Sequence, residues 1–174
     1  MQFLTPLTLL FLTPLLLASP TPRSPISAYE VTNMGLFHGS GRPGNVNNYV
    51  VNIRMHDLDP AASDVYTNCT ATWPMAEPNT WPHEYVDCAD DDGNASFQWK
   101  FGRFSSLSDF LFEAKHTYED PSVGYPNIVT TWAHANVTAG PNADLTCVGG
   151  ASGVFSCGLR DRIPLRVDVY QAIA

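Results

Sequence analysis

Apolar and polar positions alternate along most of this chain, and no long stripe at helical spacing interrupts them. Tyr29-Glu30-Val31 opens the first such segment. Tyr49, Val51, Ile53 and Met55 alternate with Val50, Asn52, Arg54 and His56, which predicts a strand with one apolar face. Val65, Thr67, Cys69, Ala71 and Trp73 share a parity opposite Tyr66, Asn68, Thr70 and Thr72. Phe97, Trp99 and Phe101 alternate with Gln98 and Lys100, and Phe110, Phe112 and Ala114 with Leu111, Glu113 and Lys115. Ile128, Thr130 and Trp132 predict a further face, which puts Trp132 among the interior rings with Phe97, Trp99 and Phe101. Ile163, Leu165, Val167 and Val169 oppose Arg166, Asp168 and Tyr170, with Pro164 at the strand start or on an edge.

Turn residues punctuate these segments at residues 39–44, Asp59-Pro60, Asp92-Gly93-Asn94, Asp120-Pro121, Gly140-Pro141 and Gly149-Gly150. The one helical contender is residues 105–116, where Ser105, Ser106 and Asp109 could cap; its Phe110 and Phe112 suit a strand at least as well. Strands at this spacing, without a βαβ rhythm, predict an all-β protein: a compact antiparallel β-barrel or sandwich.

At 174 residues the chain bounds one ordinary domain, and 44% apolar residues suffice for a real core. The formal charge of −8 argues against a nucleic-acid partner, because that affinity comes from Lys and Arg neutralising phosphates. The only lysines are Lys100 and Lys115, so a polybasic patch for a membrane surface is missing too.

Residues 1–18 carry no charged side chain, and the apolar run from Leu7 to Leu17 ends at Ala18-Ser19-Pro20. They read as a secretory signal peptide, too short and too interrupted by Pro14 to span a bilayer. Residues 19–27, with Pro20, Pro22 and Pro25, read as an extended leader, and 28–174 as the single folded domain. The expected address is extracellular.

Four cysteines fit an oxidising compartment: Cys69, Cys88, Cys147 and Cys157. They allow three pairings, of which proximity in sequence favours Cys69–Cys88 and Cys147–Cys157. A zinc site competes on paper, but no C-x-x-C knuckle supports it. Three N-x-[ST] sequons make Asn94, Asn68 and Asn136 candidate glycosylation sites. Asn94 follows Asp-Gly in a turn and ranks first. Asn136 ranks last, because it shares parity with Trp132, expected inside.

The order of these features resembles a known family. An opening strand at residues 29–33 leads to a Gly/Arg-rich connection, His38-Gly-Ser-Gly-Arg42-Pro, and a long alternating strand, Tyr49 to Ile53. A strand then ends at Cys69, followed by Trp81-Pro-His-Glu-Tyr85-Val-Asp-Cys88 and the Phe-x-Trp-x-Phe run of Phe97 to Phe101. The late pair Cys147 and Cys157 precedes a last apolar strand. This order is similar to that of the Alternaria major-allergen family of secreted fungal proteins, and the likeness covers residues 29–173. The resemblance implies a compact β-barrel with two intrachain disulfides matching the favoured pairs. It also implies allergens, effectors or elicitors that bind plant defence proteins or small phenolic ligands. Some members dimerise through an extra early cysteine; this chain has none, so a disulfide-linked dimer is not expected, while a non-covalent oligomer stays open.

Candidate chemistry is sparse. His38, His56, His83, His116 and His134 could serve a small secreted ribonuclease only if His56, His116 or His134 met a base such as Glu84 and a cation such as Arg103. No G-x-S-x-G, H-E-x-x-H or reactive-cysteine context accompanies them. Asp90-Asp91-Asp92-Gly93-Asn94 could offer oxygens to calcium, but it lacks the spacing of an EF-hand and reads better as a hairpin turn. No metal and no cofactor are expected. Trp73, Trp81 and Tyr85, in the stretch between Cys69 and Cys88, are the candidate partner contacts, with Arg42 as an isolated cation; Arg160 and Arg162 are two more. The sequence thus points to a secreted binding protein without chemistry of its own, engaging a plant extracellular protein or a small apolar ligand. A secreted hydrolase and a structural cell-wall or spore-coat protein are the alternatives.

Overall fold

In the computed structural model, eleven strands form one sheet whose strand pairs are all antiparallel. The structure describes residues 27–44, 47–62, 66–77, 79–90 and 96–174. The expected signal peptide, nearly all of the expected leader, and Asn94 with its expected turn lie outside the described residues. The strands are β1 (Ala28–His38), β2 (Asn48–Asp57), β3 (Tyr66–Pro74), β4 (Val86–Asp87), β5 (Ala89–Asp90) and β6 (Ser96–Ser106). They continue with β7 (Asp109–Glu119), β8 (Ile128–Thr138), β9 (Leu145–Gly149), β10 (Phe155–Leu159) and β11 (Leu165–Ile173). The main path runs β4-β6-β7-β8-β11-β1-β2-β3-β5, with the β9–β10 hairpin attached to β1. Among the described residues no helix is long and apolar enough to cross a membrane.

The ends of that path almost meet. β4 pairs with β6 through Val86 and Trp99, while β5 pairs with β3 through Ala89 and Asn68. Between them the Cys88 N–H donates to the Phe97 carbonyl at 2.9 Å, and the Cys88 sulfur is bonded to Cys69 on β3. The stretch 86–90 therefore bridges the seam of a nearly closed barrel, pinned by one disulfide. The second disulfide joins Cys147 and Cys157, which face each other in the β9–β10 register. Both pairings favoured by sequence proximity are the ones present.

Alternation fills the interior. Phe97, Trp99 and Phe101 from β6, Phe110 and Phe112 from β7, and Tyr29, Met34 and Leu36 from β1 are fully or almost fully buried. Bulk is offset by small neighbours: Trp99 lies opposite Ala114 in the register, and Ala114 lies opposite Ala133. Such large–small pairing lets a small barrel close without voids.

Three expectations need correction. The helical contender at 105–116 is the end of β6, a tight turn at Leu107 and Ser108, and the start of β7. Period-two alternation sends Phe110, Phe112 and Ala114 all inward, which a helix would not do. The last strand begins at Leu165, and Ile163 is 63% exposed in the turn before it. On β8 the phase is opposite to the predicted one: Val129, Thr131, Ala133 and Val137 face in, while Trp132 is only half-buried and faces out. The interior at that level already holds Trp99, Tyr29 and His116, so β8 contributes an alanine and a hydrogen-bonding threonine there rather than another large ring.

Candidate functional site

One end of the barrel carries polar groups inside. His116, 0% exposed, continues the inward parity of Phe112 and Ala114 on β7. Its Nδ1 is hydrogen-bonded to Asp57 Oδ2 at 2.9 Å. The other oxygen of Asp57 accepts from the Ser27 hydroxyl at 3.2 Å and from the Asp59 N–H at 2.8 Å. Beside this pair the Tyr29 hydroxyl donates to the Thr131 carbonyl at 2.9 Å, and the Tyr118 hydroxyl to Asp59 Oδ2 at 2.9 Å. Burial raises the Tyr29 hydroxyl far above the ordinary tyrosine range. The imidazole lies flat on Phe97, with centroids 3.7 Å apart and planes 4° apart, and Tyr118 stacks against it at 4.9 Å. Its Nε2 is buried without a hydrogen-bond partner among the described residues. This is a buried, hydrogen-bonded lining that ties together β1, β2, β7 and β8.

The ribonuclease constellation is not assembled. His56 lies on β2, stacked on Tyr66 at 4.4 Å and 3.3 Å from Glu30. His134 is exposed on β8, separated from β2 by two intervening strands, β11 and β1. Glu84 is exposed in the loop before β4. Arg103 sits at the β6–β7 turn, paired with Asp109 at 3.0 Å, and that guanidinium holds the Asp109 carboxyl below its usual range. Among the described residues no group of three or more His, Cys, Asp or Glu side chains could hold a metal ion.

The other concentration of charged and aromatic side chains is on the outside of β6, β7, β8 and β11. Tyr85, in the segment leading to β4, lays its ring beneath both lysines of the chain: Lys100 Nζ is 4.8 Å and Lys115 Nζ 5.3 Å from the centroid. Lys100 also meets Glu113 Oε2 at 3.4 Å. Gly102, at a bulge in β6, leaves the room that Glu113 occupies; an added Cβ would collide with that carboxylate and with Leu111. Partial burial pushes the Tyr85 hydroxyl up to about 12, with Glu113 and Tyr170 adding to the rise. Trp132 stands opposite Lys115 in the β7–β8 register, and His134 opposite Glu113. Tyr170, 52% exposed on β11, rests against His134 with ring centroids 4.7 Å apart. Two cations and four aromatic or imidazole rings thus share one face of an acidic protein.

The candidate contacts read from the sequence scatter. Trp73 is 3% exposed and is corrected from a surface contact to a core residue, stacked on Tyr49 at 5.1 Å and edge-on to Phe104 at 5.5 Å. Its inward parity with Cys69 runs to the end of β3, beyond the point where the Pro-rich loop seemed to begin. Trp81 is half-buried against Phe101 and Phe104, at 6.4 and 6.2 Å, because the Phe101 N–H donates to the Pro82 carbonyl at 2.8 Å and draws that loop over the barrel end. Tyr85 belongs to the outer face. Arg42 is exposed in the β1–β2 turn, whose shape Asn47 holds by accepting from the Gly41 N–H and donating to the Arg42 carbonyl. Asn68 on β3 and Asn136 on β8 both point outward and are exposed, Asn136 because the β8 phase is reversed. The sequence reading missed Lys100, Lys115, Trp132, His134 and Tyr170 as a set, although the shared outward parity of the two lysines on adjacent strands was there to be used.

No family model, no curated protein and no solved structure matches this chain.

Proposed function

We propose that this is an exported binding protein that engages an extracellular partner protein through the outer face of β6, β7, β8 and β11. Two intrachain disulfides, with no free cysteine among the described residues, fit an oxidising compartment, and the N-terminal apolar run supplies the route to it. The observation that carries the reading is the clustering of Tyr85, Lys100, Lys115, Trp132, His134 and Tyr170 on one outer face, while the interior is filled by the protein's own rings. Aromatic side chains bring large contact area at low entropic cost, and positive charge on an otherwise acidic molecule steers an acidic partner to that face. Resemblance to the Alternaria major-allergen family directs the search to plant extracellular fluid, with an effector or elicitor role.

The test is retention from plant extracellular fluid on immobilised protein, comparing wild type, a Trp132→Ala/Tyr170→Ala double variant and Arg42→Ala. A protein held by the wild type and by Arg42→Ala, and lost by the double variant, is the expected outcome. Equal retention by all three forms, or RNA digestion by purified wild-type protein, overturns the proposal.

A further inference from the structure

The strand path along β1 has a break. The first half of β1 pairs with β11, from Ala28 opposite Asp168 to Val31 opposite Leu165. Its second half pairs with β10, from Gly35 opposite Gly158 to His38 opposite Phe155. Between β10 and β11 the chain leaves the sheet in the turn Arg160–Arg162, where Asp161 and Arg162 both take positive φ, 51° and 57°. Non-glycine residues in that region carry strain, and strain of this sort gathers at binding and switch sites.

Beside the turn lies a cleft of about 320 Å³, at the small end of the range for small-molecule sites. Asn142, Ala143 and Asp144 line one side, and Arg160, Ile163, Pro164, Leu165 and Arg166 the other. Arg160 is the unusual member. Its Nε donates to the Ala143 carbonyl at 2.9 Å and its Nη1 to the Pro141 carbonyl, so main-chain oxygens fix the guanidinium plane. No carboxylate lies within ion-pair distance of it among the described residues. A guanidinium has five N–H donors, so three remain uncommitted on a positioned cation without a counter-ion. Arg166 adds a second guanidinium, of which only Nε is used, on Asp168 at 2.9 Å. Asp144, the one acidic lining residue, turns its Oδ2 toward the Thr138 N–H at 3.4 Å. Ile163, exposed although large and apolar, offers an apolar surface with Pro164 and Leu165.

We propose that this cleft binds a small organic carboxylate with an apolar body of about one ring. The carboxylate sits on the uncommitted donors of Arg160 and Arg166, in the fork geometry that guanidinium offers to a planar anion. The apolar body lies on Ile163, Pro164 and Leu165. Arg166 shares the outward side of β11 with Tyr170, but Arg160, Ile163 and Pro164 lie in the turn before that strand, and neither Trp132 nor Tyr170 lines the cleft, so the two proposals are tested by different variants.

The test is a nuclear magnetic resonance titration of the whole folded protein with benzoate, benzyl alcohol and acetate. Benzoate is expected to shift the Arg160 Nε–H and the Ile163 and Leu165 methyl signals saturably. Benzyl alcohol lacks the charge and acetate lacks the ring, and each is expected to bind about tenfold more weakly or less. Arg160→Lys keeps the charge but loses the fork and is expected to weaken benzoate by about tenfold. Asp144→Asn removes the competing anion and is expected to tighten benzoate, which a purely structural Arg160 would not produce; this variant decides the matter should Arg160→Lys fail to fold. Equal shifts with benzoate and benzyl alcohol, shifts confined to other parts of the barrel, or unchanged affinity in Asp144→Asn overturn the proposal.

Discussion

Asp57 shows how much one buried side chain can hold. Its carboxylate receives the His116 imidazole, the Ser27 hydroxyl and the Asp59 N–H, so removing it strands three donors where water cannot replace it. Asp57→Ala is therefore expected to cost about 3–5 kcal/mol, measured by urea unfolding. Replacing the pair together, Asp57→Leu with His116→Phe, is expected to recover most of that loss, because a matched apolar pair leaves fewer buried polar groups without a partner. A single-variant cost below about 1 kcal/mol would mean that the pair is solvated in solution. At this scale the sequence was legible where parity was clean. Phe97, Trp99, Phe101, Phe110 and Phe112 all point inward as their alternation says. His116 shares that parity, yet a histidine among phenylalanines announces neither its carboxylate partner nor its depth, since Asp57 is distant in sequence and meets it only once the barrel closes. Trp132 misled because a tryptophan on an alternating strand suggests core, whereas the inward positions on either side of it are held by Thr131 and Ala133.

Between elements, the weakest join is the seam bridged by 86–90. β4 and β5 are two residues each, too short to show any periodicity, and no reading of alternation could have found them. Cys69–Cys88 holds them in place, and its sequence separation of 19 exceeds the 10 of Cys147–Cys157. Chain-entropy reasoning assigns about 3 kcal/mol to each bridge, slightly more to the longer loop. The Cys69→Ala/Cys88→Ala variant should lose that amount and also loosen the barrel edge. Calorimetry is expected to show a larger fall in Tm for it than for Cys147→Ala/Cys157→Ala, whose cysteines lie within a paired hairpin; the reverse order would mean that the seam is held by other contacts. Turn residues foretold the β7–β8 connection, which holds Asp120-Pro121, whereas the β6–β7 turn at Leu107 and Ser108 lay inside the helical contender and was not predicted. The break between β10 and β11 was hidden, because Arg160, Asp161 and Arg162 carry no glycine to mark their positive φ.

The whole molecule divides its rings between two tasks. Those inside fill the core of the barrel, and those outside, with both lysines, give an acidic protein one face of different character. On a chain of net charge −8, the two outward lysines on neighbouring strands, one of them paired with Glu113, are the basis on which an acidic partner is proposed for that face. Hydroxyl-radical footprinting, with and without a partner captured from plant extracellular fluid, measures this division directly. In the free protein Trp132, Tyr170 and Tyr85 should oxidise while Trp99 and Trp73 stay intact, and partner binding should shield Trp132 and Tyr170. Oxidation of Trp99 in the free protein, or shielding confined to the loops around Arg42 and Trp81, would contradict the account.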